Sequence, residues 1–125
     1  MDKVVHFEIP TDDLSRAKEF YGSVFEWELR TIEDMNNYTI AMTTPLDEQQ
    51  MPTEPGAING GLMKRTMDTP APVITVGVGS IEDSLKKVEA AGGDVVQPKT
   101  DIPGMGSFAY ARDTERNVIG LWESA

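Results

Sequence analysis

The chain has 125 residues, 39% hydrophobic and 26% charged, the composition of one soluble globular domain with its own core. Its 21 acidic residues against 11 basic leave a net charge of −10, which repels phosphate backbones and anionic lipids and argues against nucleic-acid or membrane partners. Cysteine is absent, which excludes disulfides, thiolate catalysis and cysteine metal sites together. No apolar run approaches the roughly 18 residues of a membrane span. The opening "MDKVVHFEIP" lacks the basic start and apolar core of a signal peptide, so a cytoplasmic location is expected.

The first element is extended. Alternation in "VVHFEI" puts Val4, His6 and Glu8 on one face and Val5, Phe7 and Ile9 on the other, with Pro10 expected to end the strand. His6 is the only histidine of the chain. Asp12 or Asp13 then caps a helix over "LSRAKEFYGSVF", whose Leu14, Ala17, Phe20, Tyr21 and Val24 form one apolar stripe to lay on a sheet. "NNYTIAMTT" (36–44) and "GGLMK" (60–64) read as strands. Between them, "TPLDEQQMPTEPGA" (44–57) reads as a long loop, either a gate or a plain connection.

The second half says the same thing again. "VITVGVGSIEDSLKKVEAAGGDVV" (73–96) runs from strand into a helix capped by Ser80, carries Ile81, Leu85 and Val88 on one side, and stops at "AAGG". Setting Asp13 against Ser80 places His6 opposite Val73. Downstream, "GSFAYARDT" matches 36–44 and "IGLWE" matches 60–64. Tyr38 then stands opposite Phe108, Ile40 opposite Tyr110, Gly61 opposite Gly120 and Met63 opposite Trp122. "QPKTDIPGMGS" (97–107) reads as a second loop. The expected organisation is one domain, 1–125, with a first module at 4–64, a connector at 65–71 and a second module at 72–123.

These paired modules, with the opening "HFEIPTDDLSRAKEFYGSVFEW" and the ending "DTERNVIGLWE", resemble the vicinal oxygen chelate superfamily: glyoxalase, bleomycin- and fosfomycin-resistance proteins and extradiol dioxygenases. The nearest likeness is to its short glyoxalase-like members. The resemblance implies an α+β fold of two pseudo-symmetric βαβββ modules, their curved sheets enclosing a cleft and their helices outside. It also implies, for metal-using members, ligands on the first and last strand of each module. Only His6 fills such a position; Val73, Gly61 and Gly120 stand at the other three. One imidazole binds a divalent metal weakly, so no metal and no cofactor is expected.

His6 and Glu8 are the candidate catalytic residues, and Tyr38, Met42, Phe108, Tyr110, Arg112 and Trp122 the candidate ligand-binding residues of a mostly apolar site. Ile40 and Val118 are expected in the core. The resulting reading is a glyoxalase-like protein that holds a small, partly apolar molecule without a tight metal. The alternative is a metal-dependent lyase, isomerase or dioxygenase using His6 and Glu8. Glyoxalase chemistry itself lacks a metal and a carboxylate base here, because glycines stand in the carboxylate positions. A homodimer is expected, with Phe25, Trp27 and the methionines at 35, 51, 63 and 67 available for an apolar interface.

Overall fold

A computed structural model describes residues 1–125, which form two compact units: His6–Pro72, and Met1–Val5 together with Val73–Ala125. Each unit carries one βαβββ succession, so the fold is α+β.

The first unit takes β1 (Lys3–Thr11) from His6 onward and continues through α1 (Leu14–Phe25), β2 (Glu28–Ile32), β3 (Tyr38–Met42) and β4 (Gly60–Lys64), with one 3-10 turn at Glu33–Met35. The lateral order is β2-β3-β4-β1. The β2–β3 and β3–β4 pairs are antiparallel, and β4 returns parallel to β1. β1 runs one residue past Pro10 instead of stopping there, Pro10 lying opposite Met63. A proline next to the end of a strand costs little, because its missing N–H interrupts almost no ladder.

Asp13 caps α1 by accepting from the Arg16 N–H at 3.0 Å. The expected apolar stripe is only partly covered. Leu14, Ala17 and Tyr21 are half-buried, whereas Phe20 and Val24 are each 53% exposed. Aromatic packing anchors the C-terminal end of the helix: Tyr21 stacks on Trp27 with centroids 5.0 Å apart, and Phe7 lies 5.6 Å from the same indole. Leu62 and Ala41 are fully buried. Asn59 ties the ends of the long loop, its Oδ1 accepting from the Thr43 and Thr44 N–H groups at 2.7 and 2.9 Å.

The second unit repeats the succession: β5 (Val73–Gly77), α2 (Ile81–Ala90), β6 (Asp94–Ile102), β7 (Gly106–Arg112) and β8 (Val118–Ser124), in the order β5-β8-β7-β6. Ser80 caps α2 through the Asp83 N–H, and Gly92 leaves the helix at φ +100°. Ile81 and Leu85 pack on Ala109, Ala111 and Leu121 to form the core. The stretch expected as a loop at 97–107 is mostly strand, since β6 reaches Ile102 and only 103–105 turn. Two register shifts, between Val95 and Gln97 and between Gln97 and Thr100, absorb Pro98 without ending the strand. Bulges hide a strand from period-2 reading.

The register recurs between units. Gly61 of β4 lies between Glu8 of β1 and Ile40 of β3. Gly120 of β8 lies between Thr75 of β5 and Tyr110 of β7.

Candidate functional site

The single histidine and the carboxylate two residues on do share a face, as period 2 requires. The structure adds what links them. Tyr38 Oη sits 2.8 Å from His6 Nε2 and donates to Glu8 Oε2 at 2.9 Å. Glu8 is only 7% exposed and His6 is half-buried. A phenol has one proton, and here it goes to the carboxylate. The phenol oxygen therefore accepts from His6 Nε2–H, which sets the tautomer and runs the chain imidazole to phenol to carboxylate. Burial holds the His6 pKa below 6.5, against the opposing pull of the Glu8 charge, so the imidazole is neutral near pH 7.

The path of Tyr38 is unusual for a sheet. Tyr38 stands on β3 and Glu8 on β1, with β4 between them. The ring crosses β4 over Gly61. A Cβ built on Gly61 falls 2.6 Å from Tyr38 Cε1 and closer still to its hydroxyl. In the second unit a Cβ on Gly120 falls 2.5 Å from Thr75 Oγ1, so a neighbouring side chain takes up that space too.

The resemblance implies a divalent metal, and the donor set does not fit one. His6 and Glu8 are both engaged by the hydroxyl between them, and the space beside Gly61 that a last-strand carboxylate needs is filled by the phenol. No group of three or more His, Asp or Glu side chains is placed to hold an ion.

Of the predicted ligand-binding residues, Tyr38 joins His6 and Glu8. Met42 lies at the far end of β3, opposite Glu28 and half-buried. Ile40 and Val118, expected in the core, are half-buried as well. In the second unit Phe108 and Tyr110 make an edge-to-face pair with centroids 5.8 Å apart, and Phe108 stands opposite Trp122 across the β7–β8 pair. Arg112 ends β7 and pairs with Asp94 at 2.7 Å.

Sequence reasoning missed one feature, a shallow groove of about 340 Å³ at the start of α1. Its lining includes Ile9, Phe20 and Tyr21 together with Arg16 and the Arg65–Asp12 ion pair at 2.9 Å. The pairing of Arg65 with Asp12 joins residues 53 apart, and no local pattern announces it.

Residues 3–44 match the family model for the bleomycin resistance protein-like N-terminal region. The chain is 27% identical over 128 residues to CFP32, a proposed glyoxylase of Mycobacterium tuberculosis, and to its Mycobacterium bovis counterpart. The match takes in 94% of this chain but 44% of the relative, so the chain spans under half the length of these curated relatives. Among solved structures, a methylmalonyl-CoA epimerase in complex with methylmalonyl-CoA and NH4+ superposes with TM-score 0.68 at 18% identity, covering 100% of this chain and 96% of the other. Methylmalonyl-CoA epimerase from M. tuberculosis gives TM-score 0.62 at 18% identity, covering 98% and 87%. A Bacillus halodurans protein gives 0.65 at 15%, covering 99% and 95%. Two βαβββ successions, a bleomycin-resistance-type N-terminal match and a glyoxylase-like relative together support the vicinal oxygen chelate superfamily, which the chain resembles in fold and sequence.

Proposed function

We propose that this protein holds a small, partly apolar molecule bearing an oxygen or nitrogen function, without a tight metal, at the His6–Tyr38–Glu8 face. The observation that carries this reading is the hydrogen-bonded chain itself: a neutral imidazole, a phenol and a buried carboxylate in one line. Such a line presents polar groups beside the half-buried, apolar Ile40, the mixture that small-molecule sites use. The aromatic surface of Phe108, Tyr110 and Trp122 is proposed as a further apolar contact surface, with Arg112 at its margin. A homodimer in the cytoplasm completes the reading. The exposed rings of Phe20 and Phe25 on α1 are the apolar surface that a second copy would cover.

Thermal-shift screening followed by calorimetry tests the proposal, with glutathione conjugates, aromatic acids, bleomycin-type antibiotics and acyl-CoA thioesters as probes. A ligand of the folded state raises the melting temperature by mass action. At least one class is expected to bind with micromolar affinity and to lose affinity in Tyr38→Phe. Binding that is undisturbed by Tyr38→Phe and His6→Ala, or that requires one equivalent of added Ni or Zn, overturns it.

A further inference from the structure

The structure assigns to Tyr38 the place that a metal would take: its hydroxyl is a built-in occupant between His6 and Glu8, and Gly61 is the vacancy that admits it. Two independent observations meet here. The first is coordination. The phenol oxygen engages the imidazole nitrogen at 2.8 Å and the carboxylate oxygen at 2.9 Å, so it satisfies the two donors that a cation would otherwise recruit. The second is steric. Gly61 pairs with Glu8 on one side and Ile40 on the other, and any side chain there meets the Tyr38 ring at 2.6 Å or less. A carboxylate at 61 and the phenol are mutually exclusive occupants of one space. Glycine is therefore required by the tyrosine and not by the backbone, since Gly61 lies within a regular strand and no positive φ is recorded for it.

The contrast with Gly60 sharpens this. A Cβ on Gly60 meets the Phe7 backbone oxygen at 2.5 Å as well as the Phe7 ring at 2.6 Å, so that glycine answers in part to close approach of the main chain, which no side-chain truncation relieves. At Gly61 the three nearest atoms all belong to the Tyr38 side chain. Removing the tyrosine should free position 61 and leave position 60 as constrained as before.

The test has two arms, and both read something other than ligand binding or activity. In the first, Ni²⁺, Zn²⁺ and Co²⁺ are titrated by calorimetry and Co²⁺ absorption into the wild type, Tyr38→Ala, and Tyr38→Ala with Gly61→Glu. The double variant sets His6, Glu8 and a new carboxylate on adjacent strands. It is expected to bind at least ~100-fold more tightly than wild type, since even an outer-shell partner is worth about 10–100-fold in metal affinity. That gain should vanish on adding His6→Ala. A folded double variant that binds no better than wild type overturns the assignment. So does wild type binding one equivalent tightly through His6 with Tyr38 intact.

In the second arm, Gly61→Ala is made with and without Tyr38→Ala, and Gly60→Ala serves as control. The melting temperature should fall by several degrees for Gly61→Ala alone and change little when Tyr38 is already alanine, whereas Gly60→Ala should destabilise in both backgrounds. Equal losses for Gly61→Ala in both backgrounds overturn the assignment, and this arm decides even where the glutamate variant does not fold. Failure of the small-molecule proposal leaves both readouts untouched.

Discussion

Tyr38→Phe removes one oxygen and keeps the ring, so it isolates the hydrogen-bonded chain from the packing around it. Two bonds are lost: the donation to Glu8 at 2.9 Å and the acceptance from His6 at 2.8 Å. A hydrogen bond to a charged group contributes about 1.5–3 kcal/mol and a neutral one about 0.5–1.5 kcal/mol. Glu8 is nearly buried, so water replaces the lost donor poorly, whereas half-buried His6 is more easily re-solvated. The expected cost is therefore about 2–4 kcal/mol at pH 7.5. For a chain of 125 residues the unfolding entropy of about 2.1 cal/mol/K per residue makes this a fall in Tm of about 8–15 °C. Urea unfolding followed by tryptophan fluorescence and by far-ultraviolet dichroism gives the same quantity through the midpoint, with the slope unchanged. A loss below about 0.5 kcal/mol with coincident transitions refutes the reasoning, because it means that the hydroxyl was not satisfying buried groups.

Burial lowers the folded pKa of His6, so the unfolded chain takes up the proton first as pH falls. The stability His6 contributes is present above about pH 6.5 and is lost on acidifying from there toward its lower folded pKa; His6→Gln should flatten the fall measured by urea midpoints between pH 7.5 and 5. Glu123 of β8 accepts from the Ile81 N–H at 2.8 Å, at the first turn of α2, and from Lys99 at 3.2 Å. Those bonds hold its carboxyl below the usual 4.5, so its contribution is present above that pH and lost below it; Glu123→Gln should lower Tm at pH 7 and narrow the gap to wild type near pH 3. Leu62 is fully buried in the first unit, and Leu62→Ala should cost about 3–5 kcal/mol in the same urea assay. Light scattering at micromolar protein should give twice 13.7 kDa, and Phe20→Glu with Phe25→Glu should halve it. A wild-type mass of 13.7 kDa removes the dimer from the reading.

Local chemistry made much of this protein legible in its sequence. Caps at Asp13 and Ser80, the glycine stop at Gly92 and the period of "IEDSLKKVEA" are decided within a turn or two of chain, and all stand where the residues say. The internal repeat sets Gly61 against Gly120 and Ile40 against Tyr110, and each glycine pairs with that residue of its own unit across the antiparallel ladder. Where neighbours from elsewhere decide, the sequence fell short. The Pro, Gly and polar residues of 97–107 read as loop, and only the pairing with β7 makes 97–102 strand through two register shifts. The stripe on α1 looked like a buried face, yet Phe20 and Val24 remain half in solvent. Period 2 put His6 and Glu8 on one face, but nothing along the chain says that β3 lies beside β4, and β4 beside β1. That lateral order alone carries the Tyr38 ring over Gly61 and into hydrogen bonds 30 and 32 residues away. The face of a residue follows from its neighbours in sequence; its partner follows from strand order, which depends on long-range burial that no short window of residues contains.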